Sequence, residues 1–345
     1  MNTPQHQAER DTGSPTAEVP LAGAGEAQKA RGLVSVIIPN WNGAHYLPTC
    51  LDSLRRQTYP AIEIIVADNA SSDGSQELLG HSYPEVRLVS LEENLGFAGA
   101  ANAGIRAARG EIIALLNNDT EADPHWVAEL VRALAQHPDA GSAASKMLLF
   151  DRRDTFHSAG DSFRTDGLPA NRGVWQHDAG QFDREEYVFS GCGGAVAYRR
   201  EMLEQIGLLD ELFFFSCEDV DLAWRAQLAG WRCIYVPTAV VYHRLSATGG
   251  GVTSSFYTGR NTIWVLVKDV PGPLLRKYGW PILRAQARIA REALRAWRGA
   301  AARARLRGQL AGLLGAWRVL GQRRMVQATR RIAISELDRL LEKGQ

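Results

Sequence analysis

The sequence predicts an α/β fold in which a mostly parallel sheet is flanked by helices and followed by a basic, amphipathic helical extension. Three observations predict it. Short apolar, β-branched runs alternate with helical patterns four times over short connections, the pattern of a parallel sheet covered on both faces. Polar residues gather just beyond the apolar runs, where such sheets bind ligands. The charge is also divided: Arg276 to Arg331 hold fifteen Lys and Arg against one acid, Glu292, while the rest of the chain holds 24 basic against 37 acidic residues. A formal net charge of +1 therefore conceals an acidic body and a basic tail.

Residues 1–31 are rich in Ala, Gly, Thr, Pro and Glu, show no apolar period and no signal-peptide pattern, and read as a disordered leader. Order begins at Leu33. The run Val34 to Ile38 is a buried strand stopped by Pro39, and His45 to Gln57 is a helix with Leu47, Leu51 and Leu54 on one face. A second strand, Ile62 to Ala67, ends at Asp68, and Ser72 to Leu79 opens with helix-start residues. A third strand spans Val86 to Leu91, a helix Phe97 to Ala108, and a fourth strand Ile112 to Leu116; Pro124 then starts a helix reaching Gln136. Beyond residue 140 the segments shorten, with a loop-like stretch from Asp151 to Arg184. A strand at Ala195 to Tyr198, a helix at Glu218 to Ala229 and a strand near Cys233 to Val236 follow. Gly249, Gly250 and Gly251 predict a mobile loop.

From Pro271 onward the pattern is helical and Arg-rich, with Trp280, Leu283, Leu294, Trp297, Leu310, Leu314, Trp317 and Leu320 as apolar anchors. No run reaches eighteen consecutive apolar residues, so membrane contact is expected to be peripheral. Four cysteines without a CxxC pair fit reduced thiols in the cytoplasm better than a disulfide framework or a zinc site.

The residues able to carry chemistry follow the strands. Asn117-Asn118-Asp119 sits after the fourth strand, where Asp119 either binds a divalent cation on a diphosphate or caps a turn. Asp68 either accepts a hydrogen bond from a base or caps the next helix. Glu218, Asp219 and Asp221 open a helix whose dipole both accounts for acids there and keeps a carboxylate ionised as a base. His243, after an apolar run, is a ligand only if it lies near Asp119. Gly96, Gly99 and Gly104 have the wrong spacing for a dinucleotide fingerprint.

As a set these residues resemble the family 2 glycosyltransferases with the GT-A, Rossmann-like fold. The likeness runs in order through Val34 to Asn42, Val66 to Gly74, Asn94 to Ala98, Leu115 to Asp119, Glu218 to Leu222, His243 and Tyr257 to Asn261, about two thirds of the chain. It implies a glycosyltransferase domain over residues 32–270, with a nucleotide-binding half to 140, an acceptor-binding half beyond it, and an extension over 271–345. It further implies that Pro39, Asn40, Asn42, Asp68, Asn94, Gly96, Asn102 and Asn118 lie at the nucleotide sugar, and that Asp119, Asn117 and His243 hold Mg²⁺ or Mn²⁺. Asp219 matches the catalytic base, with Glu218, Asp221 and Arg225 toward the acceptor. Asn117 stands where the family's DxD motif has its first acid, a form similar to bacterial rhamnosyltransferases that use dTDP-rhamnose.

The resemblance thus implies an inverting transferase acting on a glycan or lipid-linked acceptor, with a UDP sugar as the alternative donor; the Arg-, Trp- and Leu-bearing helices of the tail suit either an anionic membrane surface or packing on the domain. A nucleotidyltransferase would need a Gly-rich loop where this chain has Pro39-Asn40-Trp41-Asn42. A nucleic-acid-binding module would leave Asp68, Asp119 and Asp219 without a role, so no nucleic acid partner is expected.

Overall fold

The computed structural model describes residues 32–244 and 251–344. The expected leader, and Gly249 and Gly250 of the expected loop, lie outside the described residues; Gly251 opens a helix. The first half alternates as β1 (Val34–Asn40), α1 (Leu47–Arg55), β2 (Ile62–Asp68), α2 (Ser75–Ser82), β3 (Arg87–Ser90), α3 (Gly96–Ala107) and β4 (Ile112–Leu116). Strands β3, β2, β1 and β4 lie side by side and parallel. Period-two alternation divides the core between the faces. Val34, Val36 and Ile38 pack with Leu47 and Leu51 of α1 on one side, and Ile37 with Ala98, Ala101 and Ile105 of α3 on the other.

The second half continues as β5 (Thr120–Ala122), α4 (Trp126–Gln136), β6 (Ala140–Leu149), β7 (Phe156–Ala159), β8 (Asp161–Phe163), β9 (Pro169–Asn171) and β10 (Glu186–Val188). It closes with β11 (Ala195–Arg199), α5 (Arg200–Ile206), α6 (Glu218–Leu228) and β12 (Arg232–His243). The main sheet has the order β10-β12-β6-β11-β4-β1-β2-β3, with β11 antiparallel between β4 and β6.

Three elements differ from expectation. Strand β6 is buried throughout, but its AGSAASKMLL sequence is small and poor in β-branched residues, so no apolar run marks it. The stretch from Asp151 to Arg184 holds the short strands β7, β8 and β9. Strand β12 does not stop at Val236: its register with β6 shifts between Val236 and Val240, and it continues to His243. That extension pairs with β5 and sets His243 opposite Thr120, next to Asp119.

The C-terminal helices are α7 (Gly251–Lys268), α8 (Gly272–Arg295), α9 (Ala300–Leu314), α10 (Ala316–Ala328) and α11 (Ile334–Leu340). Trp264, Leu274, Val319, Val326 and Leu337 from these helices share a core with Trp224 and Leu228 of α6. The extension is therefore built onto the domain. Helices α7 and α9 cross at backbone contact, since a Cβ at Gly308 would overlap the Phe256 carbonyl. Among the described residues no helix is long and apolar enough to cross a membrane.

Candidate functional site

Two clefts open at the carboxyl ends of β1, β2 and β4 and share Asn117 as a wall. The first, about 310 Å³, is lined by Pro39, Asn40, Asn94, Gly96, Asn118 and Tyr257 among others. A chain of buried side chains fixes its floor. Asn118 Nδ2 donates to Asn40 Oδ1 at 2.7 Å, and Asn40 Nδ2 donates to Asp68 Oδ1 at 2.9 Å. Opposite, Asn69 ties the rim together by donating to Asn94 Oδ1 at 2.8 Å and to the Gly96 carbonyl at 3.1 Å. Gly96 adopts φ +74, and a Cβ there would overlap the Phe214 carbonyl, so both the turn and the close approach require glycine.

Three expected donor residues stand elsewhere. Asp68 is fully buried, and its carboxylate accepts from Asn40, Ser71 N–H and Gln76, so in this structure it stands behind Asn40 and not at the cleft wall. Asn42 turns away in a φ +50 conformation and accepts from Ser72 N–H at 2.8 Å. Asn102 is buried against the 209–211 segment, donating to the Leu209 carbonyl and Glu211 and accepting from Leu209 N–H.

The second cleft, about 450 Å³, brings together Asn117, Asp119, His157, Asp161, Asp219 and His243. His243 Nε2 lies 3.1 Å from Asp119 Oδ1 and 3.4 Å from Asn117 Nδ2. A carboxylate, an amide that offers oxygen on rotation and an imidazole nitrogen form a donor set that suits Mg²⁺ or Mn²⁺, so these residues fit the expected cation. His157 stands behind His243, and burial together with that neighbouring ring lowers its pKa to about 3.

Asp219 lies in the first turn of α6 with its carboxylate held by two backbone donors, Gly193 N–H at 2.9 Å and Val220 N–H at 2.8 Å. Burial still raises its pKa. Burial and the neighbouring Asp219 lift Glu218 further, to about 8. Asp221 and Arg225 were expected at the acceptor, but the structure sets both beneath the site. Asp221 is fully buried between Arg225, at 2.8 Å, and Lys268, at 2.5 Å, and Arg225 also donates to the carbonyls of Ile206, Gly207 and Leu208. Helix periodicity explains the split: position 219 faces the cleft, while 221 and 225 share the inner face.

The loop entering α6 is strained, with Phe214, Ser216 and Cys217 at φ of 62, 70 and 67. Such residues cost on the order of 1–3 kcal/mol each and persist only where held. The fully buried Asn261 holds them: its amide faces the carbonyls of Phe213, Phe215 and Ser216 at 2.6–2.9 Å. Asn261→Ala should destabilise the fold by about 2–3 kcal/mol and lower turnover more than donor affinity. Urea unfolding and steady-state kinetics check both.

His157, Asp161 and Asn171 were missed by sequence reading because they fall in the stretch whose sequence reads as loop. Asp161 accepts from Ser158 Oγ at 2.6 Å and Asn171 Nδ2 at 2.9 Å, and burial followed by repulsion from Asp219 raises its pKa to about 7. Asp161, Cys192 and Asp219 come within 4.8 Å of one another, but burial raises Cys192 well above its usual range, which keeps the thiol protonated and unsuited to a metal. The folded state keeps the Asp161 proton up to about pH 7, whereas an unfolded carboxyl loses it near 3.8. Stability should therefore fall as pH rises from about 4 to 7. Asp161→Asn keeps an oxygen for both hydrogen bonds and should remove this loss, stabilising the fold at pH 8 by on the order of 2–4 kcal/mol relative to the parent. Thermal melts at pH 5 and pH 8 test it; an equal difference at both would contradict the assignment.

A mostly parallel sheet with an amide-lined and an acidic cleft at its carboxyl edge is the GT-A architecture of sugar transferases. A mannosyltransferase from Pyrobaculum calidifontis, solved with GDP-mannose and Mn²⁺, superposes with a TM-score of 0.51 at 20% identity, over 86% of this chain and 85% of its own. The glycosyl transferase family 2 model matches residues 35–207, and the chain belongs to that family of enzymes. It is 28% identical over 272 residues to an N-acetylglucosaminyl-diphospho-decaprenol L-rhamnosyltransferase of Mycobacterium tuberculosis, covering 72% of this chain and 86% of the relative. It is 31% identical over 226 residues to the O-antigen biosynthesis protein RfbC of Myxococcus xanthus, covering 62% of this chain but 17% of that longer protein.

Proposed function

We propose that the chain is an inverting hexosyltransferase that moves rhamnose from dTDP-rhamnose onto a hydroxyl of a glycan or lipid-linked acceptor. The observation that carries the reading is Asp219, held by two backbone N–H groups and facing a cleft that meets the amide-lined cleft at Asn117. The donor occupies the first cleft, formed largely by residues 32–140 and closed by Phe214 and Tyr257. The acceptor enters the second, with Glu218 and Asp161 beside the reacting hydroxyl. Asp219 takes the proton of that hydroxyl as its oxygen attacks the anomeric carbon, and one displacement inverts the centre. A divalent cation held by Asp119, His243 and Asn117 supplies charge neutralisation at the diphosphate leaving group. The named activity of the mycobacterial relative supports both the rhamnosyl donor and a lipid-linked acceptor.

Calorimetry with dTDP-rhamnose, UDP-N-acetylglucosamine and GDP-mannose, each with and without Mg²⁺ or Mn²⁺, tests the reading. Metal-dependent binding of dTDP-rhamnose is expected. Binding of a UDP sugar instead would move the donor assignment, and no binding of any donor by folded protein would sink it.

A specific feature supports work at the inner face of a membrane. Helix α8 anchors its start with buried Leu274, but from Trp280 onward its buried residues are the small Ala285 and Ala293, while Trp280 (67% exposed), Leu283 and Leu294 face outward beside Arg284, Arg288, Arg291 and Arg295. A soluble appendage would bury the large residues. Trp317 (71% exposed) and Leu320 on α10 are exposed as well. The chemistry fits an anionic lipid surface, where each Arg near the surface contributes about 1 kcal/mol. Co-sedimentation should be strong with phosphatidylglycerol vesicles and weak with phosphatidylcholine, and Trp280→Ser with Trp317→Ser should reduce it at least about tenfold.

A further inference from the structure

We propose that His157 is a positioning residue for the cation site, deciding which nitrogen of His243 carries the proton. The inference rests on the metal reading above and adds a residue to it. His243 makes polar contacts at both ring nitrogens: Nε2 is 3.1 Å from Asp119 Oδ1 and 3.4 Å from the Asn117 amide, which can turn its oxygen toward an N–H, and Nδ1 is 3.1 Å from His157 Nδ1. The two rings lie 4.8 Å apart, tilted by 32°. A neutral imidazole has one N–H and one lone pair, and an Nδ1···Nδ1 contact holds one proton, so one ring donates and the other accepts.

Without a cation, His243 gives its Nε2–H to Asp119, its Nδ1 is bare, and His157 donates. A cation on Nε2 requires the lone pair there and the proton on Nδ1. A backbone carbonyl in place of His157 would accept in both states and leave the first unsatisfied; an ammonium would donate in both and block the second. An imidazole serves both. The His157 proton crosses to His243 Nδ1, the His243 Nε2 proton leaves to the solvent of the cleft, and solvent returns one to His157 Nε2. Two protons are present before and after, and neither ring becomes charged. His157 lines the same cleft and is only partly buried, so its ring has access to the solvent that exchanges these protons.

The test compares the full chain with His157→Phe, which keeps a ring but no nitrogen, and His157→Asn, whose amide oxygen takes the place of Nδ1. Free Mn²⁺ is followed by electron paramagnetic resonance during titration in the presence of dTDP, with UDP and GDP in parallel. Nitrogen-15 NMR of the histidines is recorded with Mg²⁺ under the same conditions. Mn²⁺ affinity should fall about 10- to 100-fold in the Phe variant and stay within about threefold of the parent in the Asn variant. His243 should change from the Nε2–H to the Nδ1–H form on Mg²⁺ addition in both the parent and the Asn variant. Parent-like Mn²⁺ affinity in folded Phe variant, or an unchanged His243 tautomer at Mg²⁺ saturation, overturns the role of His157. Should the Phe variant fail to fold, the tautomer readout in the other two proteins decides alone. No Mn²⁺ binding by the parent with any nucleotide overturns the cation site itself, and this role with it.

Discussion

Asp219→Asn should lower kcat by about 10²–10⁴-fold while donor affinity stays within about threefold, the range lost with a positioned general base. An amide cannot take the acceptor proton, and its NH₂ must face one of the two N–H groups, from Gly193 or Val220, that hold the carboxylate. The fold should survive, because losing a buried charge offsets the unmet donor. Glu218→Gln is the matching control. Glu218 sits one residue away, yet with its pKa near 8 it is protonated at neutral pH and so serves poorly as a base. Its substitution should cost less than about tenfold. Single-turnover transfer, with donor binding measured separately, checks both; an Asp219→Asn protein that transfers at the parent rate removes the base assignment.

Asp119→Ala should abolish any response to Mn²⁺ and reduce kcat/KM by about 10³-fold, the several kcal/mol that charge neutralisation at a leaving group supplies. His243 and Asn117 remain, but a neutral imidazole and an amide alone hold a divalent cation poorly. Loss of fold would not be the cause. Backbone pairing between His243 and Thr120, and the Arg244 N–H bond to the Asp119 carbonyl at 3.0 Å, do not involve the side chain. The unmet His243 contact should cost about 1–3 kcal/mol. Mn²⁺ titration of activity beside a thermal melt separates the two effects.

The nucleotide-side sheet was legible because its strands are β-branched runs between helices with clear apolar faces, as in Val34 to Ile38 and the Leu47, Leu51 and Leu54 stripe. Family 2 membership and the enzyme class were legible from the order of the strand-end polar segments. Less visible was whatever depends on contacts far apart in sequence. Strand β6 hides in Ala and Ser, and only its burial between β11 and β12 makes it a strand. The bulge that carries β12 on to His243 is marked in sequence only by Pro237, which does not tell where the strand ends, so the meeting of His243 with Asp119 rested on resemblance. Asp161 and His157 lie in a stretch that reads as loop. Asp221 and Arg225 were placed toward the acceptor by their nearness to Asp219 in sequence; in the fold Asp221 is answered by Arg225 and by Lys268, more than forty positions later.

The row from Asn118 through Asn40 to Asp68 carries a sense of direction. An amide can be turned end for end, but a carboxylate accepts from every side. Asp68 therefore obliges Asn40 to point its NH₂ inward, which obliges Asn118 to do the same toward Asn40. The orientation of two neutral dipoles at the cleft is thus dictated by one charge that does not reach it. Neutralising Asp68 would leave the row with two senses of nearly equal energy, and the cleft would present a mixture of faces to the same ligand.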